Sequence, residues 1–308
     1  MALKLGLLVL LGLLWSVRLS AIKAAGLAGI PVHVLVVVAA FGIAAFYSIR
    51  AVWSRDWPPI DRGVLGFYAL SGTLGFLAPF ALESAVAPNL PVFLFVVIIA
   101  TMPIVTLGIS ILIGIERLRA LPILAVMLGF VGAIAILWDT GRADLSEQSN
   151  AWWVAAGFGV PMLYAINTVF VAARWPSRAG PVHVAHAQAL IVAATVLVGS
   201  SASGAITDWR LAGLDLPALG LIVFGEGLAL LVYLRIARDY GATYVSLANY
   251  VSMIFAAMLG AVWFGDRLTP LSICAAIVIV VAVALYQRYG QKAYVDREPV
   301  ELAIKLPK

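Results

Sequence analysis

A chain of 308 residues in which 63% are hydrophobic and only 11% charged, with a mean hydropathy of +1.05, lies far outside the composition of soluble domains. The net charge of +5 and the pI near 9.4 do not imply nucleic acid, because the basic residues collect at the ends of apolar runs. The single cysteine, Cys274, excludes an intrachain disulfide and reads as a small packing residue inside the last run.

The runs approach the roughly 20 residues that a helix needs to cross a bilayer core, and they lack the alternation of barrel strands. In chain order they predict ten spans, over 2–24, 31–53, 63–83, 88–114, 120–138, 151–172, 181–204, 215–236, 241–264 and 270–289. The first span, Lys4 followed by an apolar run and then Ala21-Ile22-Lys23, also has features of a cleaved signal peptide. Its apolar pattern continues through Arg18 to Gly26, and removal would leave the first half one helix short of the second.

One set of span ends carries Lys4, Arg50, Arg55, Arg62, Arg117, Arg119, Arg174, Arg178, Arg235, Arg238, Arg288 and the basic residues of the tail. The other carries only Lys23, Arg142, Arg210 and Arg267. The positive-inside rule then places both termini in the cytoplasm, which in a bacterium means a multi-pass protein of the inner membrane. Trp53, Trp57, Trp138, Trp152, Trp153, Trp209 and Trp263 fall near span ends, where an indole suits the interface.

Pro-Val-His-Val occurs at Pro31 to Val34 and again at Pro181 to Val184, 150 residues later. The same offset matches Gly75 with Gly225 and Glu116-Arg117-Leu118 with Asp266-Arg267-Leu268. It also matches Leu121, Ile123 and Ala125 with Leu271, Ile273 and Ala275. Each copy holds five spans, an odd number, so equivalent helices run in opposite directions. The expected fold is therefore an all-α integral membrane protein, ten transmembrane helices in two inverted-topology five-helix repeats. Its parts are a first repeat over 1–139, an extracytoplasmic linker over 140–150, a second repeat over 151–290 and a cytoplasmic tail over 291–308. Inverted repeats are an architecture of secondary transporters, with the substrate near the midplane between the copies.

Glu226 stands in the middle of the eighth span between Gly225 and Gly227. A charge there costs roughly 2.5–3.5 kcal/mol on insertion scales, so it must face a wet cavity, meet a cation or be protonated. It is a candidate for proton coupling or for anchoring a substrate ammonium. Arg18 lies deep in the first span and either balances Glu226 or receives a carboxylate through its planar fork. Lys23 is close enough to the end to snorkel. Trp15, Tyr164, Asn167, Asn249 and Tyr250 complete the candidate substrate-binding set, with Ser16 and Tyr233 near them. Pro79, Pro103 and Pro161 fall inside spans, and Pro103, centred in the fourth, is a candidate hinge that frees the carbonyl of Ile99. Small-residue pairs, Ala125 with Gly129 and Ala256 with Gly260, mark close helix approaches.

His33, His183, His186 and one cysteine give no metal-ligand spacing. There is no phosphate-binding Gly-x-x-x-x-Gly-Lys-Ser/Thr loop and no Gly-x-Ser-x-Gly elbow. No cofactor, no metal, no catalytic residue and no nucleic acid are expected. The expected partners are a small-molecule substrate and the lipid bilayer, with the chain acting as a monomer.

The helix count, Leu14-Trp15-Ser16 and Ala21-Ile22-Lys23 in the first span, Ala100-Thr101-Met102-Pro103 in the fourth and the paired acidic-Arg-Leu motifs together resemble the drug/metabolite transporter superfamily, in its ten-helix metabolite-exporter branch. The chain is most similar to aromatic amino-acid exporters of that branch. The resemblance implies alternating access through a central cavity lined by helices 1, 3, 4, 6, 8 and 9, with helices 5 and 10 supporting the interface. Two departures stand out: Met253 occupies the place matching Pro103, and Arg18 stands where small or amide residues are usual. The expected function is export of small amphipathic metabolites, foremost aromatic or neutral amino acids. The alternatives are another metabolite such as a nucleoside, sugar derivative or drug, and, in other classes, a membrane-embedded enzyme or a non-transporting scaffold.

Overall fold

The structure is a computed structural model that describes residues 2–27, 32–86, 89–90, 92–140, 151–202, 216–264 and 269–290. Pro31, the linker over 140–150 beyond the end of its preceding helix, the Asp266-Arg267-Leu268 motif and the tail lie outside the described residues, as do the side chains of Lys23 and His33.

Among the described residues the secondary structure is helical, with no strand. In chain order the helices are α1 (Ala2–Leu27), α2 (Val32–Ser54), α3 (Arg62–Gly72), α4 (Ala78–Val86), α5 (Val92–Ala100), α6 (Met102–Leu112) and α7 (Ala120–Thr140). The second half forms α8 (Ala151–Ala173), α9 (Pro181–Ala202), α10 (Leu216–Tyr240), α11 (Ala242–Ser246), α12 (Ala248–Phe264) and α13 (Pro270–Tyr289). Eight stretches of the described residues are long and apolar enough to cross a membrane: 36–54, 95–112, 120–138, 151–173, 181–199, 220–240, 242–262 and 270–289. The two other expected spans coincide with α1, which carries Lys4, Arg18 and Lys23, and with α3 to α4.

Prolines and glycines explain the interruptions. Thr101 breaks the run from α5 to α6, and Pro103, which lacks a backbone donor, sits in the first turn of α6. Thr101 recovers a partner by directing both N–H and hydroxyl to the carbonyl of Ile98, at 3.0 and 2.6 Å. A π-helical turn, Thr73–Leu77, joins α3 to α4 just before Pro79. α8 continues unbroken through Pro161. Gly241, with φ of 92°, separates α10 from α11, a conformation that costs glycine no side-chain clash.

The helices of the two halves interleave. α1 packs on α10 and α12, α8 packs on α4 and α6, and α2 and α9 pack against each other. α2 also contacts α10, as α9 contacts α3, while α7 and α13 form the most extensive pair. Small residues permit these approaches: a Cβ on Gly132 would lie 2.8 Å from Ile279 and 3.0 Å from the carbonyl of Ala275. Trp53, Trp57, Trp138 and Trp152 are exposed, as an interfacial position requires.

Candidate substrate cavity

A cavity of about 650 Å³ lies between the two halves. Its walls are mostly apolar, with Trp15 of α1, Phe76 of the π turn, Phe95 of α5, Met102 of α6, and Met253 and Ala256 of α12. It reaches the ends of α7 and α12 at Ile136, Leu137 and Gly260. The opposite end of the bundle is filled by Tyr47, Tyr68, Thr106, Ser110, Tyr244 and Ser246, all nearly or fully buried.

Helix register brings Arg18 of α1 and Glu226 of α10 together at the cavity wall, with Arg18 Nε 2.9 Å from Glu226 Oε1. Each charge offsets the other's desolvation, so one pair is held where a lone charge would be costly. Gly227 supports this part of α10, since its carbonyl accepts from the hydroxyl of Tyr47 on α2.

A second polar group is built on α8 and α10. Thr168 donates its hydroxyl to the carbonyl of Tyr164 at 2.7 Å, so the 3.0 Å contact with Tyr233 has the tyrosine as donor. Tyr233 Oη in turn accepts from Asn167 Nδ2 at 3.2 Å, and its ring lies 6.4 Å from that of Trp15. Asn167 reaches this place because residue 75 is glycine: a Cβ there would stand 2.3 Å from Asn167 Nδ2. Gly75→Val is therefore expected to displace the Asn167 amide and weaken solute binding about tenfold, the effect of losing one polar contact. Isothermal titration before and after the substitution would measure it, and unchanged affinity would exclude that role for Asn167.

Six of the seven expected substrate-binding residues, Trp15, Arg18, Tyr164, Asn167, Glu226 and Asn249, line this one cavity. Asn249 donates to Met102 Sδ at 3.0 Å and to the Ser246 carbonyl at 3.1 Å, which ties α12 to α6 beside the Pro103 break. Tyr250 is the correction. It points the other way, fully buried against α7, and donates to the carbonyl of Val126 at 3.1 Å. One residue along a helix turns a side chain by about 100°, and here that turn carries residue 250 from the cavity to the face packed on α7.

Ser71 and Gln188 were not singled out by sequence, yet they line the same cavity, as does Thr168. Gln188 of α9 donates to Ser71 Oγ of α3 at 2.6 Å, and the Ser71 hydroxyl donates to the Phe67 carbonyl at 2.7 Å. An amide in the middle of an apolar span was the signal available for Gln188. Thr168 also stands at the 150-residue offset from Arg18. Among the described residues no group of His, Cys, Asp and Glu has the geometry to hold a metal ion.

Residues 151–287 match the EamA-like transporter family. No curated protein matches the sequence at a significant level. A solved crystal structure superposes with a TM-score of 0.76 over 95% of this chain and 99% of that one at 15% identity, and shows the same fold. The protein is a multi-pass membrane protein of transporter-like fold.

Proposed function

We propose that the chain is a secondary exporter of small amphipathic metabolites, foremost aromatic or neutral amino acids, working by alternating access between two inverted five-helix halves. The observation that carries this reading is the half-buried Arg18–Glu226 pair in the wall of a largely apolar cavity. A zwitterion presents one charge of each sign, so its carboxylate matches Arg18 and its ammonium Glu226, while Trp15, Phe76 and Tyr164 offer an apolar bed.

Packing supports the inverted repeat. Moving each helix to its counterpart in the other half turns the pairing of α1 with α10 and α12 into that of α8 with α4 and α6. It also turns α2 with α10 into α9 with α3, and leaves α2 with α9 and α7 with α13 unchanged as pairs. The family match over 151–287 supports the boundaries 1–139 and 151–290 for the two halves. With both termini cytoplasmic, as the basic residues favour, the cavity reaches the outer face and the packed end faces the cytoplasm. Pro103 and the break at Thr101 supply the hinge of the fourth span.

Coupling to protons falls to Glu226, whose carboxylate exchanges Arg18 for a proton or a substrate ammonium. Purified protein in proteoliposomes carrying Glu226→Gln is expected to change the pH dependence of flux; a profile identical to the parent protein would remove Glu226 from coupling. Orientation is tested on intact cells with Asp144→Cys and Arg178→Cys. The first is expected to react with an impermeant thiol reagent from outside and the second only after permeabilisation, and the reverse pattern would invert the topology.

A further inference from the structure

Glu116 is only 3% exposed although it lies in the connection between α6 and α7. The backbone turns it inward: Gly114 adopts a positive φ of 74°, and the N–H groups of Ile115 and Glu116 both return to the Ser110 carbonyl, at 2.9 and 3.1 Å. There Tyr286 of α13 donates to Glu116 Oε2 at 2.8 Å, across the boundary between the two halves. The Tyr286 ring stacks on Tyr244 at 6.4 Å, and Tyr244 donates to the Lys4 carbonyl at 3.2 Å. The same ring lies 3.9 Å from Lys4 Nζ, with Tyr240 at 5.3 Å. One chain of contacts thus ties α1, α10, α11 and α13 to the end of α6.

The sequence repeat does not duplicate these groups. At the 150-residue offset, Lys4, Tyr240, Tyr244 and Tyr286 correspond to Val154, Leu90, Leu94 and Ile136, and Glu116 to Asp266. Leu90 and Val154 belong to a small apolar cluster, and Ile136 lines the cavity. The carboxylate has a counterpart in sequence, but its tyrosine donor and the aromatic bed for a cation do not.

We propose that Glu116 is a proton-binding site that latches the cytoplasmic end of the bundle shut. The inference rests on the orientation and alternating access argued above. When the halves part, Tyr286 leaves, water reaches Glu116 and its proton passes to the cytoplasm. Burial pushes the Glu116 carboxyl above the usual carboxylate range, against the opposing hydrogen bond from Tyr286. The closed form therefore binds the proton more tightly, its latch is fully made at low pH, and it is lost as pH rises through the closed-state pKa. The titratable and charged groups around it are Tyr286 from α13, Tyr240 and Tyr244 from α10 and α11, and Lys4 from α1. Val169, Ala172 and Ala173 of α8 pack in the apolar cluster around Ile115; Arg117 and Arg119 are exposed, and Arg238 and Asp239 pair with each other at the surface.

The test uses the full chain in sealed vesicles, with Cys274→Ala and a reporter Thr106→Cys. Thr106 is fully buried on α6, one turn from Met102 at the cavity and one turn from Ser110. An impermeant thiol reagent is applied from the cytoplasmic side, and its rate is divided by that of the same cysteine in unfolded protein at each pH. With the latch intact, the ratio is expected to rise roughly tenfold between about pH 5.5 and about pH 8. Glu116→Gln, permanently neutral, keeps it low and flat, whereas Tyr286→Phe makes it high at both pH values. Opposite effects of the two variants separate a latch from simple destabilisation, which would raise both. The proposal is overturned if Glu116→Gln retains the parent slope, if both variants label faster, or if Tyr286→Phe labels no faster. Labelling from the outer face alone would refute the orientation and with it the cytoplasmic latch. The labelling rate needs no transported solute, so it tests the latch even where no substrate is found.

Discussion

Replacing either Arg18 or Glu226 by leucine is expected to abolish flux and to cost about 3–5 kcal/mol of stability, because each change leaves one charge desolvated without its partner. The two side chains stand 2.9 Å apart and are only 27% and 15% exposed, so water cannot substitute fully for the lost partner. Replacing both together restores stability, since the charges that required each other are gone together. Flux stays lost, because the double variant no longer offers a zwitterion either charge. Thermal unfolding in detergent and proteoliposome exchange would read the two effects separately. A double variant as unstable as the single ones would show that the pair is not mutually compensating. A double variant that still exports would show that the pair is structural.

Gly129→Val is the second large effect, and it concerns the scaffold rather than the site. A Cβ at position 129 would lie 2.4 and 2.5 Å from ring atoms of Tyr250. That ring is fully buried, and its hydroxyl is held by the Val126 carbonyl one turn away on the same helix. It has no room to swing aside, so α7 and α12 must separate, at a cost of about 1–3 kcal/mol or more. A drop in melting temperature is expected, with substantial recovery on adding Tyr250→Ala, which opens space for the new side chain. An unchanged melting temperature in the single variant would contradict the close contact of these helices.

Much of the bundle was legible because a bilayer leaves few choices. Long apolar runs must become helices that satisfy their own backbones, and eight of the expected spans reappear by length and composition. The cost of a charge at depth led directly to Arg18 and Glu226, and their meeting is what that cost demands. Interruptions were legible only in part. Pro103 announced the break at Thr101, but nothing in Thr73-Leu74-Gly75-Phe76-Leu77 announces a π turn. Which face a residue presents was less legible still. In a helix apolar all round, no polar stripe distinguishes cavity from packing, so Tyr250 reads as a cavity residue although it packs on α7, while Ser71 and Gln188 carry no mark. Lys4 reads as an ordinary cytoplasmic anchor in sequence. Its burial over Tyr244 depends on α11, which the turn at Gly241 brings across from the other half of the chain.

The most direct measurement is counterflow in proteoliposomes loaded with an unlabelled metabolite, with labelled phenylalanine, tryptophan, a nucleoside and a sugar derivative supplied outside in turn. An amphipathic exporter with a charge-paired, apolar cavity predicts transient accumulation of labelled phenylalanine and tryptophan that is absent from Glu226→Leu vesicles. Equal, slow equilibration of every solute in both preparations would contradict transport through this cavity.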